Sequence, residues 1–355
     1  MLTVVLAEFY IGTYTSNTSG PNGVAGSQGV YRAALNTETG ELLPPSLFAI
    51  AENPSYLAFK GNTLYAVSEK ANGEVISFDQ NGLTTSIQPT YGDYPCHVSL
   101  AGNGSMLLVA NYNKGVLTRY PVASSGEVGT GSFFTNTGSG PNKQRQTASH
   151  AHFFSAAESK NNSWHIACDL GTDELLAFPG KSTSTAQGLP NPVRTKLPPG
   201  AGPRHFDWIP TQGYFFINNE LNCTVTSMKL DFKTGTFSVN NTLSTLPAGT
   251  DLKGVSTAEI RCHPSGKFVY ITNRGHDSIA AYKVLSDGKL ELITIAPSIA
   301  KTPRGMNIDA SGKWMIVAGQ SSDDLHSFSI DQTSGSLKPT GFSIKVSKPV
   351  DILFR

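Results

Sequence analysis

Two histidines separated by one residue, in Ser149-His150-Ala151-His152, and three arginines, in Pro203-Arg204, Asn273-Arg274 and Pro303-Arg304, are the side chains of this sequence best suited to chemistry. Imidazole titrates near neutrality and serves as general base or acid. A guanidinium is charged at any physiological pH, so several of them drawn together call for an anion. Glu220, in the same stretch as Arg204, is a carboxylate able to pair with one of them. These residue types fit a reaction in which arginine stabilises a developing oxyanion while histidine moves a proton, and they equally fit the holding of an anionic ligand.

What must position them is an internal repeat. GPRHFDWIPTQGYFFINNELNCTVTSMKL, at Gly202 to Leu230, and STAEIRCHPSGKFVYITNRGHDSIAAYKV, at Ser256 to Val284, follow one pattern. Each reads as a short strand, a Pro/Gly turn, an apolar strand ending in Asn, a polar turn and a third strand. Three to four strands at this period predict propeller blades. Further copies run from Asn53 to Phe78, Tyr94 to Tyr120, Ser149 to Phe178 and Thr302 to Ile330. The opening FYIGTYTS and GVYRAAL lack an inner strand, which the C-terminal SKPVDILFR supplies. The prediction is therefore an all-β, seven-bladed β-propeller filling residues 1–355, with four-stranded antiparallel blades and a ring closed by the C-terminal strand, so that no sheet edge is left open.

Blade geometry brings the start of each inner strand and the end of each second strand to one face. Inner-strand starts hold His97, His150, His152, Arg204, His205 and Arg304; second-strand ends hold Asn111, Asn219, Glu220, Asn273, Arg274 and Gln320. The expectation is a polar cluster around one channel mouth. His150, His152, Arg204, Glu220 and Arg274 are its catalytic candidates, and His97, Asn111, His205, Asn219, Asn273, Arg304 and Gln320 its substrate-binding candidates. Asparagine also suits turns, because its side chain bonds the local backbone and tolerates positive φ. Two-residue alternation along a strand puts His150 and His152 on the same side, both facing the channel.

A formal charge of +1 with 15% charged residues gives no field for nucleic acid or a membrane surface. No apolar run approaches the ~20 residues that span a bilayer. Cys96, Cys168, Cys223 and Cys262 fall in different blades and read as buried thiols or as a disulfide pair. The start MLTVVLA lacks the basic residues and length of a signal peptide, which favours a cytoplasmic protein. Asn-X-Ser/Thr motifs at Asn17, Asn103, Asn161, Asn222 and Asn240 leave a trimmed secreted form as the alternative. P-loop, dinucleotide, nucleophile-elbow and HExxH signatures are absent. The Gly-, Ser- and Asn-rich stretch 123–146 reads as a long surface loop that rims the site.

GAGPRHFDW followed by NNEL, with STAEIRCHPSGKFVYITNRG, TPRGMNIDASGKWMIVAGQ, ANYNKG and SHAHF, resembles the lactonase family of seven-bladed propellers over essentially the whole chain. That family includes propeller-type 6-phosphogluconolactonases and the fungal 3-carboxy-cis,cis-muconate cyclase. The resemblance implies hydrolysis of a sugar δ-lactone, most simply 6-phosphoglucono-δ-lactone, or the related ring-closing reaction on a polycarboxylate, in either case without metal or organic cofactor. It also implies an active site of a SHAH histidine, Arg204, Glu220 and Arg274. A noncatalytic carbohydrate- or protein-binding propeller is the reading that fold alone leaves open.

Overall fold

A computed structural model describes residues 5–15, 26–180 and 188–355. Residues 1–4 of the apolar start and the motif at Asn17 lie outside the described residues. Seven four-stranded antiparallel sheets form the ring. Six follow chain order from the inside outward, with inner strands Leu57–Lys60, Asp93–Ala101, Ala151–Glu158, Pro203–Ile209, Ser256–Cys262 and Pro303–Ile308 in blades two to seven. Blade one is composite. The C-terminal strand Pro349–Phe354 is its inner strand, paired with Leu6–Thr13, which in turn leads to Gly29–Asn36 and Ser46–Ile50.

The ring is held by apolar residues that alternate along strands and meet residues of the next blade. Blades four and five share Phe153, Trp164, Ile166, Phe206, Phe215 and Met228, all buried. The closing contact joins Ile316, Ala318 and Leu325 of blade seven to Phe9, Ile11 and Ile352 of blade one. Burying each large side chain contributes about 1.5–3 kcal/mol, so the C-terminal strand is secured by its apolar face as well as by its ladder. All four cysteines are free thiols, which decides between the two readings of the sequence. Among the described residues no helix is long and apolar enough to cross a membrane.

Stretch 123–146 differs from the expected loop. Ser132–Thr135 within it is the outermost strand of blade three, paired with Val116–Pro121, and Val122 bridges to Val128. The segment after that strand reaches the channel mouth.

One inter-blade position conflicts with its surroundings. Arg119 is 3% exposed, yet among the described residues its Nη1 donates only to Pro179 O at 3.4 Å, while Nε and Nη2 have no partner there. Burial lowers its pKa to about 10. An unpaired buried charge is costly and a straight-chain apolar residue can take its volume. Arg119→Met should therefore raise the unfolding free energy by about 1–2 kcal/mol, read as a higher urea midpoint; a lower midpoint would mean that the guanidinium holds a counter-ion in solution.

Candidate active site

In blades three, four, five and seven the inner strand carries one extra residue at the mouth end. The register steps from Pro95 to His97, Ala151 to Phe153, Pro203 to His205 and Pro303 to Gly305. The residues left over are Cys96, His152, Arg204 and Arg304. A bulge re-aims its side chain: Cys96, His152 and Arg304 line one cavity, and Arg204 turns to Glu220. In blade five the arrangement is fixed by neighbours. His205 N donates to Asn218 Oδ1 at 3.0 Å, and Asn218 Nδ2 donates to Ala258 O at 2.9 Å and Thr257 Oγ1 at 3.1 Å. Gly202 sits at φ 63°, where its carbonyl accepts Glu220 N–H at 2.7 Å; a Cβ there would meet Leu221 Cγ at 2.4 Å. The glycine of GPRH thus sets the carboxylate of NNEL.

The result is a cavity of about 240 Å³, small beside a drug-sized cleft, lined by Tyr14, Glu69, Cys96, Tyr112, Arg145, His152, Glu220, Arg274 and Arg304. Glu220 is its centre. Its Oε1 lies 2.6 Å from Arg145 Nη2 and 3.2 Å from Arg274 Nη2, and its Oε2 lies 3.1 Å from Arg204 Nε and 3.9 Å from His152 Nε2. Arg204 Nη1 also donates to Ala258 O, and Arg274 Nη2 to Thr257 O at 3.1 Å. On the opposite side Arg304 Nη2 donates to Tyr14 OH at 2.7 Å, and that hydroxyl donates to both oxygens of Glu69 at 2.9 Å. The Arg204–Glu220 contact is close but poorly aligned: Arg204 Nε, Glu220 Oε2 and Arg274 Nε have no hydrogen-bond partner. Buried polar atoms are normally satisfied; two of these, Arg204 Nε and Glu220 Oε2, face each other at 3.1 Å, while Arg274, which lines the cavity, keeps an Nε without a partner among the described residues.

This geometry sits in a fold with known relatives. The profile of the family described as Lactonase, 7-bladed beta-propeller, matches residues 8–354. The chain belongs to that lactonase family. It is similar to the 6-phosphogluconolactonase of Bacillus subtilis, 30% identical with 97% of each chain covered, and to that of Formosa agariphila, 30% identical over 93% of this chain and 94% of the other. The periplasmic gluconolactonase of Pseudomonas aeruginosa superposes with a TM-score of 0.87 at 26% identity over 99% of both chains.

Within the lactonase ring the expected residues separate into groups. His152, Glu220, Arg274 and Arg304 line the cavity, with Arg204 directly behind Glu220. His150 stays at the rim, stacked on Tyr112 at 4.5 Å with its Nδ1 3.0 Å from Tyr112 O; the bulge at His152 breaks the alternation that would have paired the two histidines. His97 and His205 form a deeper layer around Tyr56 and Phe153, where His97 Nδ1 accepts from Phe154 N and His205 Nδ1 meets Glu259 Oε1 at 3.0 Å. Asn111, Asn219 and Asn273 brace turns: their Nδ2 groups donate to Thr90 and Val116 carbonyls, to Thr224 and Thr226 hydroxyls, and to Thr245 O and Ser278 Oγ. Gln320 is half-buried outside the lining.

Five lining residues were not among the candidates, one of them Cys96 at an inner-strand start. Tyr14, Glu69 and Tyr112 directly follow, or close, the second strands of blades one, two and three, so the rule that placed Glu220 and Arg274 covers them as well. Arg145 follows an outermost strand, and no repeat position points to it.

Burial dominates the electrostatics of the layer. It holds His152 well below the usual imidazole value, with Arg204 adding to the effect, and holds His97 down to about 3 and His165, beside Arg119, likewise to about 3. Burial would raise Glu220, but Arg274, Arg204, His152 and Arg145 together keep it a carboxylate far below its ordinary value. A histidine whose folded pKa is depressed binds its proton only in the unfolded chain between the two values, so stability is lost as pH falls below about 6.5. Each contributes about 1.4 kcal/mol per pH unit in that window. Asp351, pushed up to about 7 by burial, and Asp207, raised by the same cause, act oppositely, their contributions weakening as pH rises, but four histidines, His205 included, outweigh two carboxyls. Urea midpoints should therefore fall from pH 6.5 to 5. A constant midpoint would mean that these imidazoles titrate normally.

Proposed function

We propose that the protein hydrolyses a sugar δ-lactone, and that 6-phosphoglucono-δ-lactone is the substrate. The observation that carries this reading is a neutral, buried His152 and an unpartnered Arg274 Nε in one small cavity with surplus positive charge. Four guanidinium groups, Arg145, Arg204, Arg274 and Arg304, face two carboxylates, Glu69 and Glu220, which leaves two positive charges. A phosphate monoester carries close to two negative charges at neutral pH. The names of the Bacillus, Formosa and Pseudomonas relatives support lactone chemistry.

In this mechanism water attacks the ring carbonyl and the electron pair moves onto the carbonyl oxygen. Arg274 Nε, otherwise without a partner, donates to that oxyanion, and Arg204 backs the same face through Glu220. His152 Nε2 takes the proton from the attacking water and returns it to the ring oxygen as the C–O bond breaks. Burial and Arg204 keep His152 neutral at the outset and oppose its protonation, while Glu220 Oε2, 3.9 Å from Nε2, favours the imidazolium formed as it takes the proton. Glu220, held ionised, orients the guanidinium groups rather than transferring protons. A phosphorylated substrate carries with it a cytoplasmic location.

The positive surplus also suits a tricarboxylate such as 3-carboxy-cis,cis-muconate. Ring closure there requires a protonated acid, and a neutral His152 makes hydrolysis the better fit. The deciding experiment follows freshly generated 6-phosphoglucono-δ-lactone and glucono-δ-lactone against their spontaneous hydrolysis, with product analysis on 3-carboxymuconate. Acceleration of the phosphorylated lactone supports the proposal. Lactonisation of the muconate instead moves the assignment to the cyclase, and binding without turnover makes this a noncatalytic propeller.

A further inference from the structure

The four arginines of the cavity are not equivalent. Side-chain exposure falls from 42% at Arg145 through 15% at Arg274 to 3% at Arg204, while the Glu220 they share is 3% exposed. Arg204 and Arg274 are tied to backbone carbonyls of the blade-six inner strand as well as to Glu220. Arg304 is tied to Tyr14 and lies over its ring at 5.2 Å. Arg145 alone reaches in from outside the repeat, and its partners are Glu220 Oε1 at 2.6 Å and Tyr112 OH at 3.1 Å.

Its base is rigid and its head is exchangeable. Asn142 Oδ1 accepts from Gln144 N and Arg145 N, and Gln146 N donates to Asn142 O at 2.8 Å, closing a tight turn. Gln146 is fully buried and fastens that turn to the body: its Nε2 donates to Leu170 O at 2.8 Å and Asp173 Oδ1 at 2.7 Å, and its Oε1 accepts from Asn142 N. The guanidinium at the tip is 42% exposed, so leaving Glu220 returns it to water. If it left, Glu220 would keep Arg204 and Arg274, so no buried carboxylate would be stranded.

We propose that Arg145 is the specificity residue for a phosphorylated substrate: it rests on Glu220 and Tyr112 in the free protein and transfers to the phosphate of the bound lactone. This rests on the lactonase reading and adds an orientation to it. The phosphate end lies outward at Arg145, and the lactone ring lies inward at Arg274 and His152. Guanidinium pairs with phosphate through parallel N–H donors on two nitrogens, whereas Glu220 Oε1 and Tyr112 OH are both held by Nη2 alone, so the carboxylate contact is a single-nitrogen one that a phosphate can improve on. An unphosphorylated lactone has nothing to draw Arg145 off the carboxylate.

Kinetics of Arg145→Gln on both lactones test this. The ratio of kcat/KM for 6-phosphoglucono-δ-lactone to that for glucono-δ-lactone should fall by about 100-fold, the scale of two lost charge-assisted hydrogen bonds, chiefly through KM for the phosphorylated lactone. Arg145→Lys should recover part of the ratio, since it restores charge without the fork. An unchanged ratio overturns the proposal, including the case where both lactones slow equally, because that is what a merely structural role predicts. Calorimetric titration with inorganic phosphate supplies an arm independent of turnover. If wild type hydrolyses neither lactone, the function reading fails, and phosphate binding then decides the role of Arg145: at least about tenfold weaker binding in Arg145→Gln supports it, and equal binding overturns it.

Discussion

Arg274→Ala should lower kcat for lactone hydrolysis by about 100-fold or more, and Arg204→Ala by a similar factor. The two losses should differ in kind. Arg274 lines the cavity and its buried Nε has no partner among the described residues, which leaves this guanidinium a donor to spare for an oxyanion as charge develops. Its burial lowers the guanidinium to a pKa of about 10, still charged at neutral pH. Truncating it should depress kcat more than it raises KM, with a smaller loss of stability than at Arg204 because its side chain is more exposed, 15% against 3%. Arg204 is enclosed, bound to Ala258 O and facing Glu220, so its loss should lower the melting temperature as well as the rate. Steady-state kinetics with thermal unfolding of both variants decides the matter. Full activity in both would remove the arginines from the mechanism, and full activity in Arg274→Ala alone would move the oxyanion donor to another group.

The second large effect is expected at Glu220. Its carboxylate, itself 3% exposed, is the common counter-charge of Arg145, Arg204 and Arg274, and removal leaves the enclosed Arg204 and the largely buried Arg274 without it. Taking one member from a buried ion network costs about 3–5 kcal/mol. Glu220→Ala should therefore shift the urea midpoint strongly downward. Inorganic phosphate should restore part of that loss and stabilise the variant more than wild type, because an anion that binds only the folded state substitutes for the missing charge. A midpoint close to wild type would mean that the arginines turn outward to water when Glu220 is absent.

The ring was legible because its information is local. The GPRH…NE and STAEIR…NRG copies each encode a turn, an apolar second strand and a terminal Asn within about thirty residues, and any blade can be recognised without knowing where the others lie. The outermost strands were less legible for the same reason. Thr236–Ser244 and Thr84–Pro89 are mostly exposed and carry little apolar alternation, and Ser132–Thr135 disappears inside a Gly- and Ser-rich stretch.

By itself, then, the sequence determined the number of blades, the closing role of Pro349–Phe354 and the face on which Arg204, Glu220, Arg274 and Arg304 gather, since strand direction alternates and forces starts and ends together. Only the tertiary structure decided which neighbours point inward. The bulges at Cys96, His152, Arg204 and Arg304 break the two-residue period, so His152 enters the cavity while His150 stacks at its rim. Arg145 arrives from outside the repeat on a turn anchored by Gln146. Both depend on contacts between segments distant in the chain, which strand periodicity does not encode.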